Sequence, residues 1–171
     1  MDLPEQERLF FEAVGRAFGQ CQHVEMQLFR VYARLAKPNN AEVASAAFHS
    51  VINFNVRLGM TNAAAHVALA GDPVLAIWNP LYNRAGRPAK RRNELAHFAV
   101  VYGVNPPMPS EFGPFLQPSI FNVTERETAK EKRIDANRIR DAGSSFTRLA
   151  DDLRAFADGL PELGSSLGRL I

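Results

Sequence analysis

Leu9, Ala13, Ala17, Cys21, Val24, Leu28, Val31 and Leu35 follow one another at spacings of 4, 4, 4, 3, 4, 3 and 4, the interval at which side chains return to one face of an α-helix. Phe10, Val14, Phe18 and Tyr32 widen that stripe. A strand cannot keep such a set on one side, so the pattern predicts a single long helix from about Glu5 to Ala36 with one face against a core. Lys37-Pro38-Asn39-Asn40 ends it.

The same period recurs downstream. Val43, Ala47, Val51, Phe54 and Leu58 predict a second helix from about Ala41 to Leu58, and a shorter one spans Met60 to Ala70. Gly71-Asp72-Pro73 then stops the chain and restarts it, with Asp72 as N-cap and Pro73 as the first helical residue. The next helix carries Val74, Ile77, Trp78, Leu81 and Tyr82. Gly86 and Pro88 are expected to break or kink it, leaving a separate helical piece from about Pro88 to Ala99. Residues 103 to 121 hold five prolines and Phe112, Phe115 and Phe121 without regular period, which reads as an ordered excursion over the bundle. Thr124-x-x-Glu127 is a capping box opening the final helical region, whose stripe is Ile139, Ala142, Phe146, Leu149, Leu153, Phe156 and Leu160. The expected fold is therefore all-α: an antiparallel bundle of about five helices with a proline-rich insertion before the last helix.

With 171 residues, 46% of them hydrophobic, the chain suits one domain with a sizeable core, over residues 1–160, followed by a C-terminal tail at 161–171. Cys21 is the only cysteine, so a disulfide within the chain is excluded and a reducing, cytoplasmic setting is expected. The first residues are acidic and no apolar run is long enough to cross a bilayer. His23, His49, His66 and His97 show no HxxxH or HExxH spacing, so neither a metal site nor a cofactor is expected. Glycine-rich phosphate loops and acyl-transfer serine motifs are absent too.

Net charge is only +2, yet Arg84, Arg87, Lys90, Arg91 and Arg92 lie within nine residues that hold no acid. This run makes a local field that a polyanion would feel. It leads directly into Arg92-Asn93-Glu94-Leu95-Ala96-His97. Arginine grips phosphate oxygens bidentately, and histidine exchanges protons near neutrality. The combination suits RNA, with Arg84, Arg87, Lys90 and Arg91 as candidate RNA-binding residues and Arg92, Asn93 and His97 as candidate catalytic ones. Arg16 and His23 form a looser Arg/His pair, but Ala17 follows that arginine.

Arg92-Asn93-x-x-x-His97 resembles the Arg-x4-6-His signature of HEPN domains, in the form where a polar residue follows the arginine. The layout is similar as well: a helical bundle with the motif on a late helix and one long helix after it. Glu25 resembles a helix-embedded acid found in some relatives, and Phe98 stands where many relatives have glycine. The resemblance implies a metal-independent endoribonuclease, of a kind that is often a toxin or defence nuclease restrained by an antitoxin or other protein partner. It also implies a twofold homodimer whose paired motifs line one cleft. His97 would then manage the protons, Arg92 would stabilise charge at phosphorus, and Asn93 would orient His97 or a phosphate oxygen. A noncatalytic HEPN-like module binding RNA, a nucleotide or a protein is the alternative. On one straight helix Asn93 and His97 stand about 40° apart but Arg92 and His97 about 140° apart. Either the helix is irregular at Arg92 or two chains share the site.

Overall fold

A computed structural model describes residues 3–102, 113–118 and 133–160. It contains five helices: α1 (Leu3–Ala36), α2 (Ala41–Ser50), α3 (Phe54–Ala68), α4 (Val74–His97) and α5 (Ala136–Gly159). Over these residues the protein is all-α apart from a small antiparallel ribbon of β1 (Ala99–Val101) and β2 (Phe115–Gln117), in which Val100 pairs with Leu116.

Contacts between the helices fix their directions. Phe48 of α2 stacks near Phe29 and Tyr32 of α1, and Arg57 of α3 reaches Glu25 of α1. Trp78 of α4 lies against Phe156 of α5, while Arg84 six residues later pairs with Asp152, so α4 and α5 run antiparallel. Arg30 pairs with Asp158 at 2.7 Å and Arg34 Nη1 donates to the Leu160 carbonyl at 2.9 Å. The chain thus rises along α1, alternates direction through α2, α3 and α4, and rises again along α5, which lies parallel to α1.

The α1 and α5 stripes meet as the centre of the core. Phe10, Ala17, Val24, Leu28 and Val31 are buried on one side, and Ile139, Phe146, Leu149 and Leu153 on the other. Burying such side chains stabilises by about 1.5–3 kcal/mol each. Gly143 sits where the two helices pack closely: a Cβ there would lie 3.6 Å from the Ala17 Cα and would meet the Gln20 side chain. Glycine lets the two backbones come together.

Three sequence expectations need correction. The second and third helices divide at residues 51–53 rather than near Gly59, because Asn53 Oδ1 accepts from the Asn55 and Val56 amides and starts α3 there. The expected break at Gly86 and Pro88 does not occur, and α4 is continuous from Val74 to His97. Leu81 and Ala85 before those residues and Leu95 after them are all buried in the same core, and this packing holds both halves to one element against the local cost of proline. The start of α4 is one residue later than expected: the helix begins at Val74 with Pro73 at the cap position, although the Asp72 carboxylate still accepts from the Val74 amide at 2.8 Å. The ribbon was not foreseen. It uses the end of the proline-rich segment, with Phe115 and Leu116 buried. The capping box at Thr124 and Glu127, the phenylalanines at 112 and 121, and the tail at 161–171 lie outside the described residues. Among the described residues no helix is long and apolar enough to cross a membrane.

Candidate functional site

All the candidate residues stand on α4, and its continuous winding decides which of them act together. Helical rotation of about 100° per residue puts Arg84, Arg87 and Arg91 within about 60° of one another. Asn93 and His97 stand on the opposite side, and Arg92 falls between the two sets. The structure therefore separates the candidates onto two faces.

The first face turns to α5. Arg84, Arg87 and Arg91 line a groove of about 700 Å³ with Arg138, Arg148 and Ser145 of α5. Asp141, Asp151 and Asp152 line it too, so the basic field is partly neutralised in place. Arg84 is paired with Asp152, and Arg91 Nη1 donates to Glu94 Oε2 at 2.6 Å. Lys90 is exposed on α4 but does not line this groove. Arg138 and Arg148 were missed in the sequence because they lie apart from the basic run and interleave with acids.

The second face turns toward α1 and the start of α3. Arg92 and Asn93 line a cavity of about 240 Å³ together with Glu25 and Cys21 of α1 and Asn53, Phe54 and Asn55 at the head of α3. Ile52, 92% exposed, stands at its edge. Asn53 is present for a local reason, since it caps α3 and the cap ends the connection from α2 here. Glu25 is present because α1 turns one face to α3.

One wall of this cavity is charged. The Glu25 carboxylate lies 3.0 Å from Arg57 Nη2, with the two side chains only 13% and 9% exposed. The Arg57 guanidinium also lies 5.8 Å from the Phe48 ring centre, and its Nε is buried without a hydrogen-bond partner. Two buried charges of this kind depend on each other, since removing one leaves the other desolvated and unpaired. Burial, reinforced by the Glu25 charge, pushes the Cys21 thiol up to about 11, against a smaller opposing pull from Arg92 and Arg57. Cys21 is thus a protonated, unreactive part of the wall at neutral pH.

His97 is the last residue of α4 and is exposed. Phe98 behind it turns into extended backbone and packs against the core, so this ring in the place of glycine does not cover the imidazole. Among the described residues no hydrogen bond or ion pair holds the His97 ring. Arg92 Nη1 donates to Asn93 Oδ1 at 3.3 Å, which tethers the first two motif residues at the cavity mouth. Asn93 and His97 share an exposed face one turn apart, about 6 Å along the axis. Arg92 lies off that face, and the irregular-helix explanation for bringing it round is removed by the regular helix through Arg92. The looser pair, Arg16 and His23, has structural partners instead: Arg16 pairs with Glu12 at 2.6 Å, and His23 Nε2 lies 3.1 Å from Gln27 Nε2.

No family model, no curated protein and no solved structure matches this chain.

Proposed function

We propose that the chain is a HEPN-type, metal-independent endoribonuclease that works as a homodimer. The observation that carries the reading is Arg92-Asn93-x-x-x-His97 on the last two turns of a long bundle helix, with Asn93 and His97 on one exposed face beside a polar cavity. In this reading the RNA 2′-hydroxyl attacks its own 3′-phosphate. His97 takes the proton from that hydroxyl or gives one to the departing 5′-oxygen, and arginine stabilises the charge on the pentacoordinate phosphorus. The nucleophile belongs to the substrate, so the protein has only to position, protonate and neutralise. Because Arg92 stands about 140° from His97, the arginine opposite one imidazole comes from the partner copy.

Among the described residues the His97 ring has no partner, and this favours a second reading. A general base is ordinarily oriented by a neighbouring group, so a chain that never dimerises in this way would bind RNA without cutting it. Purified protein incubated with mixed RNA in EDTA separates the two readings. Cleavage leaving 2′,3′-cyclic phosphate ends, with a dimer by light scattering at micromolar concentration, supports the nuclease. RNA binding without cleavage under any condition replaces it with the binding module. In the nuclease reading an antitoxin or other protein partner is the expected restraint, and toxicity on expression is the corresponding observation.

A further inference from the structure

The cavity between α1, the head of α3 and α4 is lined by polar side chains, Glu25, Asn53 and Asn55, that catalysis by Arg92 and His97 does not use. At about 240 Å³ it falls below the ~300 Å³ at which pockets begin to take drug-sized ligands, which suits one nucleobase and not an oligonucleotide. It carries the Glu25 carboxylate, only 13% exposed, and Phe54 supplies an aromatic wall. Asn55 and Asn93 add side-chain amides, and Arg92 places a cation at the mouth.

From this arrangement we propose that the cavity is a guanine subsite, holding the base whose 3′-phosphate lies between Arg92 and Asn93 at its mouth and the His97 that a second copy supplies. This rests on the ribonuclease reading and names the nucleotide on which it acts. A carboxylate only accepts hydrogen bonds. Guanine sets two donors side by side on its Watson–Crick edge, the N1–H and the 2-amino group, which match the two oxygens of Glu25. Adenine and cytosine each place a ring-nitrogen lone pair next to their amino group, and uracil flanks its one N–H with carbonyls. Each of those three brings a lone pair against the carboxylate. Guanine O6 and N7 are acceptors, for which the amides of Asn55 and Asn93 are the available donors. Phe54 offers a stacking surface of the kind that reads unpaired bases. Arg57 completes the device from behind: its charge holds the carboxylate in place without filling the cavity. With the base seated, Arg92 at the mouth is left for the phosphate.

The experiment is titration of the whole protein with the four nucleoside 3′-monophosphates, followed by calorimetry. Guanosine 3′-monophosphate is expected to bind about tenfold to hundredfold more tightly than the others, the value of hydrogen bonds to a charged group. Glu25→Gln is expected to remove that preference. Because Glu25→Gln leaves Arg57 buried without its counterion, Asn55→Trp serves as the second variant. Asn55 is exposed on the first turn of α3, so the indole blocks the mouth without entering the core, and guanylate binding should disappear with the melting temperature unchanged. Equal binding of all four nucleotides overturns the proposal, as does undiminished guanylate binding in folded Asn55→Trp. RNA cleavage without preference for the bond after guanosine, together with no guanylate binding, overturns the subsite and leaves the nuclease standing. Guanylate binding that Asn55→Trp abolishes, in a protein that cuts no RNA, supports the subsite and removes the nuclease.

Discussion

The two sides of α4 use the same residue type in opposite ways. Toward α5, Arg84, Arg87 and Arg91 lie in an open groove among aspartates, where the charges are hydrated and partly cancelled. Toward α1 and α3, Arg92 opens onto a small cavity whose wall is the nearly buried Glu25–Arg57 pair. Exposed ion pairs contribute about 0–1 kcal/mol, whereas breaking a buried pair by deleting one member costs about 3–5 kcal/mol. Arginine count therefore says little about a site, and the surroundings of each guanidinium say much more. In the proposed function the groove holds a strand loosely and the cavity selects a nucleotide.

The largest effect belongs to the cavity side. His97→Ala is expected to lower RNA cleavage by about a hundredfold to ten-thousandfold, the usual contribution of a general acid or base. Arg92→Ala should lose a comparable factor. Fold and dimer should survive both changes, since His97 is exposed and, among the described residues, the one hydrogen bond of the Arg92 side chain is to Asn93. His23→Ala is the control, because His23 lies against Gln27 and away from the motif. A normal cleavage rate in His97→Ala would remove the catalytic reading of this face.

Next in size is stability. Glu25→Ala should destabilise the protein by about 3–5 kcal/mol in denaturant titration, because Arg57 is then buried and unpaired. Replacing both residues, as Glu25→Leu with Arg57→Met, should recover most of that loss. Equal destabilisation by the single and the double variant would show that the pair is not coupled. The same wall carries a pH signature. The Cys21 thiol is raised from 9.0 to about 11 in the folded protein. Its contribution is therefore complete below about pH 9 and lost as pH rises toward 11. Cys21→Ser should flatten that alkaline limb, and alkylation of Cys21 in the native protein should be slow at pH 8.

These contrasts were only partly legible in the sequence. The long stripes of α1 and α5 could be read because a period of 3 to 4 sustained over many residues has one physical meaning, and Ile139, Phe146, Leu149 and Leu153 are buried as that period demands. The motif residues could be read because they are local. What could not be read was tertiary. Gly86 and Pro88 signal a break, yet core packing of Leu81, Ala85 and Leu95 overrides it. Asn53 was lost inside an apolar period although its capping oxygen sets the start of α3. The continuous helix then moves Arg84, Arg87 and Arg91 away from Asn93, where linear adjacency suggested a single cleft. Arg57, 32 residues from Glu25, carried no sequence signal as its partner.

On the groove side the effects are smaller and electrostatic. Replacing Arg84, Arg87 and Arg91 with Gln should flatten the log-log salt dependence of RNA binding by about two units, since each single-strand phosphate contact contributes about 0.7. Lys90→Gln should change the slope less than any of the three, because Lys90 does not line the groove. Cleavage at saturating RNA should remain, as these side chains stand away from His97. An unchanged slope in the triple variant would move the RNA off this face.

The smallest expected effect isolates how the groove is held in check. Arg84 is paired with Asp152, and both side chains are about half exposed. Such a pair contributes about 0–1 kcal/mol, so Asp152→Asn should leave the denaturation midpoint almost unchanged. Binding should move the other way, because the released guanidinium and the lost carboxylate both make the groove more positive. RNA affinity at low salt is expected to rise a few-fold, and the salt slope to steepen by up to about 0.7 if Arg84 gains one phosphate. Asp151→Asn offers a matched comparison, since Asp151 lines the same groove while pairing with Arg154 of its own helix. It should raise affinity through the field alone and leave the Arg84 pair intact. If Asp152→Asn weakens RNA binding, the aspartate is a contact and not a restraint, and the groove cannot be a simple phosphate track.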